Sequence, residues 1–199
     1  MTNPILDTAL EALAAGCSIV PIRADGSKSP AVPWKPYTEH APDEATVRAW
    51  FTGTNHGLGI VTGPVSGQLE MVEIEGRAAN DLPQLRQLAE DTGLGDLWNR
   101  ITTGWTETSP SGGFHFHYRL TDQVVPGNTK LARDEAGLVL AETRGAGGQV
   151  VVAPTPGTHH PSGNPWTRLT GGPTTAARRA GVTSGMATFH QIWNSLSPS

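Results

Sequence analysis

The sequence predicts an α+β fold, on three observations. Segments of helical period sit beside short segments that alternate or run apolar, the signature of mixed helix and strand. The 24 Gly and 16 Pro in 199 residues cut the chain into short elements and exclude an all-helical bundle. A hydrophobic share of 37% in a chain this long supplies one domain with a substantial core.

In chain order, Asn3 caps a first helix with Pro4 at its first position, and Leu6, Leu10 and Leu13 form its apolar stripe up to Gly16. The apolar run Ser18–Ile22 reads as a strand, followed by a polar loop over residues 23–36. A second helix over 43–51 buries Val47, Trp50 and Phe51 and stops at Gly53. Residues 57–67 are a Gly-punctuated segment around Leu58, Ile60 and Val61, and 69–75 a strand. A helix over 82–92 places Leu85, Leu88 and Ala89 on one face and ends at Gly93. The clearest strand is 114–120, with Phe114, Phe116, Tyr118 and Leu120 on one side and His115, His117 and Arg119 on the other. Strands over 138–144 and 149–153, joined by the turn 145–148, carry a hairpin signal. Residues 171–185 read as a flexible loop, and Met186, Phe189, Ile192 and Trp193 fit one face of a last helix.

No stretch approaches the roughly 20 apolar residues that cross a bilayer, and no basic segment followed by an apolar run opens the chain. A cytoplasmic protein without a membrane partner is expected. A single cysteine, Cys17, excludes an internal disulfide framework and a cysteine zinc cluster. The net charge of -4 excludes nucleic-acid binding by bulk positive charge and leaves locally basic binding open, with metal ions cancelling part of a site's negative charge.

Several short patterns carry chemistry. Glu73 and Glu75 are two residues apart on a strand and project from one face, while Val72 and Ile74 enter the core. A hard divalent cation, magnesium or manganese, would relieve their repulsion; two solvated glutamates on a strand edge are the alternative. Ser111, Gly112 and Gly113 form a turn leading into His115, suited to bringing a phosphate near backbone amides and an imidazole. A plain hairpin turn with a solvent-facing histidine fits equally, and a His115–His117 metal pair lacks a third ligand. Glu142 and Arg144 share a strand face, offering a third carboxylate and a phosphate-binding fork, or simply a surface ion pair. Lys28, Trp34 and Lys35 combine cations with an aromatic, as in grips on single-stranded nucleic acid or a base, although Trp34 also suits packing. His159, His160 and Ser162 lie in a Pro/Gly-rich loop that closes a sheet edge.

The order of these motifs resembles the primase-polymerase domain of the archaeo-eukaryotic primase superfamily, the bifunctional DNA primase/polymerase N-terminal type. The motifs are Asp25-Gly-Ser-Lys28-Ser-Pro30 with Trp34-Lys35; Gly57-Leu-Gly-Ile-Val-Thr-Gly63 with Ser66-Gly67; Glu73-Ile-Glu75; Ser111-Gly-Gly-Phe-His115; Glu142-Thr-Arg144-Gly-Ala-Gly-Gly148; and Val151-Val-Ala-Pro154 with His160-Pro-Ser-Gly163. The resemblance implies an RNA-recognition-motif-like antiparallel sheet core facing an N-terminal αβ module, with the active cleft between them. It divides a single domain, 1–199, into an αβ module (1–56), a catalytic core (57–183) and a C-terminal helix (184–199). It implies catalytic Glu73, Glu75, Glu142 and His115, with Mg2+ or Mn2+ on the three glutamates. Ser111, Gly112, Gly113, His115, Arg144 and Lys28 would bind nucleotide, and Trp34 and Lys35 nucleic acid. The family's acidic pair is commonly Asp-x-Asp or Asp-x-Glu and its third acidic residue often Asp, so Glu73 and Glu142 are each one methylene longer.

The implied function is template-directed synthesis and extension of primers on single-stranded DNA by two metal ions, in replication of a phage, plasmid or mobile element. Nucleoside triphosphates, template and primer are the expected partners, with a fused or separate helicase. The chain itself has no Walker-type phosphate loop. The rival readings are a metal-dependent nucleotide or phosphodiester hydrolase and a noncatalytic replication module.

Overall fold

The computed structural model describes residues 3–121 and 123–179. Helix α1 (Pro4–Ala14) starts where the Asn3 side chain accepts from the Leu6 amide, and the same Asn3 donates to the Phe51 carbonyl. One cap thus starts a helix and ties it to the end of α2 (Glu44–Phe51), itself capped by Asp43. Between them runs β1 (Ser18–Ile22), buried throughout. Strands β2 (Gly57–Val61) and β3 (Leu69–Ile74) follow, then α3 (Leu82–Asp91) and α4 (Gly95–Thr103). The remainder is β4 (Trp105–Thr108), β5 (Phe114–Leu120), β6 (Thr129–Arg133), β7 (Val139–Arg144), β8 (Gln149–Val152), β9 (Thr167–Thr170) and β10 (Ala177–Arg179). The fold is α+β, as expected. Among the described residues no helix is long and apolar enough to cross a membrane.

The strands form two sheets. The small one has the order β1-β2-β8 and is antiparallel. The large one runs β6-β7-β3-β5-β4-β9, with β10 pairing parallel to β5 beyond the point where β4 ends. The segment 171–185, read as a loop, therefore holds a short turn and β10 as far as residue 179; the C-terminal helix expected over 184–199 lies outside the described residues.

The expected hairpin over 138–153 is not formed. β7 pairs with β3 and β6 in the large sheet, whereas β8 pairs with β2 in the small one. Residues 145–148 carry the chain from one sheet to the other. The turn chemistry that suggests a hairpin serves this crossing: a side chain at Gly145 would strike the Pro126 carbonyl, which accepts from the Ala146 amide, and the Gly148 carbonyl accepts from Thr62.

Both faces of the large sheet are covered. On one, Val72, Ile74, Phe116, Tyr118 and Leu120 pack against Leu85 and Ala89 of α3 and Leu97, Trp98 and Ile101 of α4. On the other, Leu69, Met71 and Trp105 meet the small sheet and helices α1 and α2. The polar side of β5 is consequently buried, not solvated: His115, His117 and Arg119 are 5%, 0% and 9% exposed. Alternation in β5 was readable, but the second cover that hides its polar face is a tertiary fact.

Candidate active site

Directly paired residues of neighbouring strands point the same way from a sheet. Register therefore places Lys130 beside Glu142, Glu142 beside Glu73, Glu73 beside His115, His115 beside Glu107, and Glu107 beside Arg168. One row of ionisable side chains crosses the large sheet on the face toward the small sheet. Glu75, just past the end of β3, adds a further carboxylate.

Glu73, Glu75 and Glu142 each present a carboxylate oxygen, and these oxygens lie within 4.8 Å of one another. They line a cavity of about 410 Å³ between the two sheets. Its walls also carry His115 and Arg144 from the large sheet, Ser109 and Ser111 from the turn between β4 and β5, and Lys28 and Trp34 from the loop after β1. Lys28 is held there because its carbonyl accepts from the Gln149 side chain at the start of β8.

Charge in the cavity is partly balanced. Burial opposes ionisation of Glu73, but His115 Nε2 at 3.4 Å, with Arg144 and Lys28, outweighs burial and holds the carboxyl at about 2. Glu75 is pushed up, by burial and then by the Glu73 charge, against weaker opposition from Arg77, Lys28 and His115. Glu142, almost buried, meets Arg144 through Oε1 and Lys130 through Oε2. All-oxygen ligands crowded until one of them resists ionisation suit a hard divalent cation such as magnesium or manganese.

The Ser111 turn serves differently from a bare phosphate loop. The amides of Gly112 and Gly113 are bonded to Ser109, through its carbonyl and its hydroxyl. A side chain at Gly113 would collide with the Ile74 carbonyl, so this glycine permits the turn to lie against the end of β3. The turn thereby brings Ser111 to the cavity close to Glu75. It is braced from behind, where Ser162 and Asn164 donate to the Pro110 carbonyl, which gives the His159 to Ser162 loop a definite task.

Of the remaining expected residues, Trp34 lines the cavity and also packs on the Val20, Ile22 and Val61 cluster. Lys35 is exposed and not among the lining residues. His117 stacks on Trp105 at 4.1 Å, and burial, then the neighbouring His115, lowers its pKa well below the usual imidazole value.

Ser109, Lys130 and Glu107 escaped the sequence reading. Glu107 is fully buried and accepts from Trp105 Nε1 and from the Ala153 amide, both at 2.8 Å, joining the two sheets behind His115. Burial pushes its carboxyl up against those two hydrogen bonds. The Trp-x-Glu spacing in Trp105-Thr-Glu107 was an available signal, of the same kind as Glu73-x-Glu75.

A family model described as bifunctional DNA primase/polymerase, N-terminal, matches residues 9–179, most of the chain. No curated protein matches it.

Proposed function

Since the chain belongs to the bifunctional DNA primase/polymerase N-terminal (Prim-Pol) family, whose activity is nucleotidyl transfer of the primase/polymerase type, we propose that it makes and extends primers on single-stranded DNA with two divalent ions. The carrying observation is the three carboxylates converging in a cavity whose walls supply His115, Arg144 and Lys28. A cluster of carboxylates beside a set of basic side chains is the division of labour that a metal-assisted reaction of a polyanion requires.

Glu73, Glu75 and Glu142 would hold the metal, which when bound would lower the pKa of the attacking primer 3′-hydroxyl and neutralise charge on the triphosphate. The 3′-hydroxyl gives its proton to solvent, its oxygen bonds to the α-phosphorus, and the bridge to the β-phosphate breaks, releasing pyrophosphate. Arg144 offers a planar fork for phosphate oxygens, and His115, buried beside Glu73, is positioned to donate to one. Ser111 and Ser109 add hydroxyl donors, and Lys28 a mobile charge, at the cavity wall. Gly112 and Gly113 contribute by shaping the turn. Trp34 offers an aromatic face to a base, and Lys35, outside the cavity, is assigned to the backbone of the template strand. Most of this work is positioning and electrostatics. Replication of a phage, plasmid or mobile element is the proposed setting, with a fused or separate helicase opening the duplex.

The test is primer synthesis and extension on a single-stranded template with Mg2+ or Mn2+. The Glu73→Ala, Glu75→Ala double variant should lose activity by on the order of 10³-fold or more. Full activity in that variant sinks the assignment. Nucleoside monophosphate released without chain growth would replace polymerisation with hydrolysis.

A further inference from the structure

Glu142 reaches the carboxylate cluster with both oxygens already engaged, Oε1 by Arg144 and Oε2 by Lys130. A cation binding across Glu73, Glu75 and Glu142 therefore meets a competing positive charge at either oxygen of Glu142. The two partners are not equally placed to give way. Arg144 stands two residues along the same inner strand as Glu142, on the same face, with its side chain 34% exposed. Lys130 comes from β6, the outermost strand of the large sheet, where the pairing with β7 is irregular just after Lys130. Its side chain is 44% exposed against 4% for Glu142, so the ammonium has solvent to move into on a flexible four-carbon stem.

The geometry points to Lys130 as a tethered counter-ion: it holds Glu142 in the metal-free protein, and it swings out to solvent when a divalent cation takes the carboxylate. This rests on Glu73, Glu75 and Glu142 being the metal-binding set. Lys130 is then a positioning residue with two opposed effects. It steadies a cluster of like charges while the metal is absent, and it competes with the metal for Glu142, setting the concentration at which the site fills.

The two effects are read together by calorimetric titration of Mn2+ into the whole chain and by thermal unfolding in chelator and in excess Mn2+. Lys130→Met should bind Mn2+ about 3- to 10-fold more tightly, the size of one partly exposed charge pair. It should also unfold at lower temperature in chelator, with the deficit shrinking as Mn2+ is added. Lys130→Arg, which keeps the charge, should stay near the unaltered affinity, and in a Glu142→Gln background Lys130→Met should lose most of its effect. A lysine that only braces the fold lowers stability without tightening metal binding, and that result overturns the inference. Equal or weaker Mn2+ affinity in Lys130→Met overturns it too while leaving the proposed function standing. An unaltered chain that binds no Mn2+ removes both.

Discussion

Arg119 and His115 stand at opposite ends of one face of β5, both nearly buried, yet they are held by different kinds of partner. Arg119 donates to the carbonyls of Ser66 and Ala15 and to Cys17 Sγ, fixing β5 to the end of α1 and the start of β1. His115 lies between Glu73 and Glu107 in the cross-strand row and borders the cavity. A buried cation satisfied by backbone has nothing to exchange with and acts as a brace. A buried imidazole flanked by carboxylates beside open space can trade partners, which is what chemistry needs. Burial does not separate these two roles; the nature of the partners does.

The sharpest way to break this contrast is Arg119→Met. Losing the guanidinium leaves two carbonyls without their donor, and stability should fall by about 3 kcal/mol in urea unfolding, with the extension rate per folded molecule unchanged. At the other end, His115→Asn should lower templated extension by about 10²-fold, or about 2.7 kcal/mol of barrier, while stability falls by less than about 1 kcal/mol. If the first variant were inactive when folded, or the second merely unfolded, the division between the two ends would fail.

His117 lies between them and gives the smallest effect. Burial, then His115, lowers its folded pKa, so it is neutral in the native state, whereas the unfolded chain takes up a proton below about pH 6.5. Its contribution is therefore complete above about pH 6.5 and drains away as pH falls toward the lowered value, by at most about 1.4 kcal/mol per pH unit. His117→Phe keeps a ring against Trp105 and removes that proton. Its stability should match the unaltered chain within about 1 kcal/mol near neutral pH and gain on it as the solution is acidified. A gap that does not change with pH would show that His117 is not the group responsible.

Local pattern carried much of the architecture. The Asn3 and Asp43 caps, the apolar run of β1 and the alternation of β5 each specify an element within a few residues, and the two-residue spacing of Glu73 and Glu75 puts both carboxylates on one face. What escaped depends on distant partners. α4 keeps helical spacing in Leu97, Trp98 and Ile101 but is short, begins on a glycine and has no side-chain cap, while β4, β6 and β9 are short and take their places from the strands beside them. The crossing at 145–148 uses the same glycines as a hairpin, so only the destination of β8 tells them apart. Lys130 was invisible for the same reason: its partner is set by the register of β6 on β7, not by any neighbour in sequence.

That crossing also sets a timetable. β2 lies in the middle of the small sheet, and the strand that covers its second edge is made only after β3, β4, β5, β6 and β7. On a nascent chain β1 and β2 can pair early, but the β2 edge that β8 will cover stays open, with Leu58 and Ile60 beside it, until Gln149 has left the ribosome. Pairing between segments so far apart is slow, and an open apolar edge is sticky in the interval. The small sheet stays incomplete until β8 is made, and a chain interrupted before β8 keeps that edge exposed.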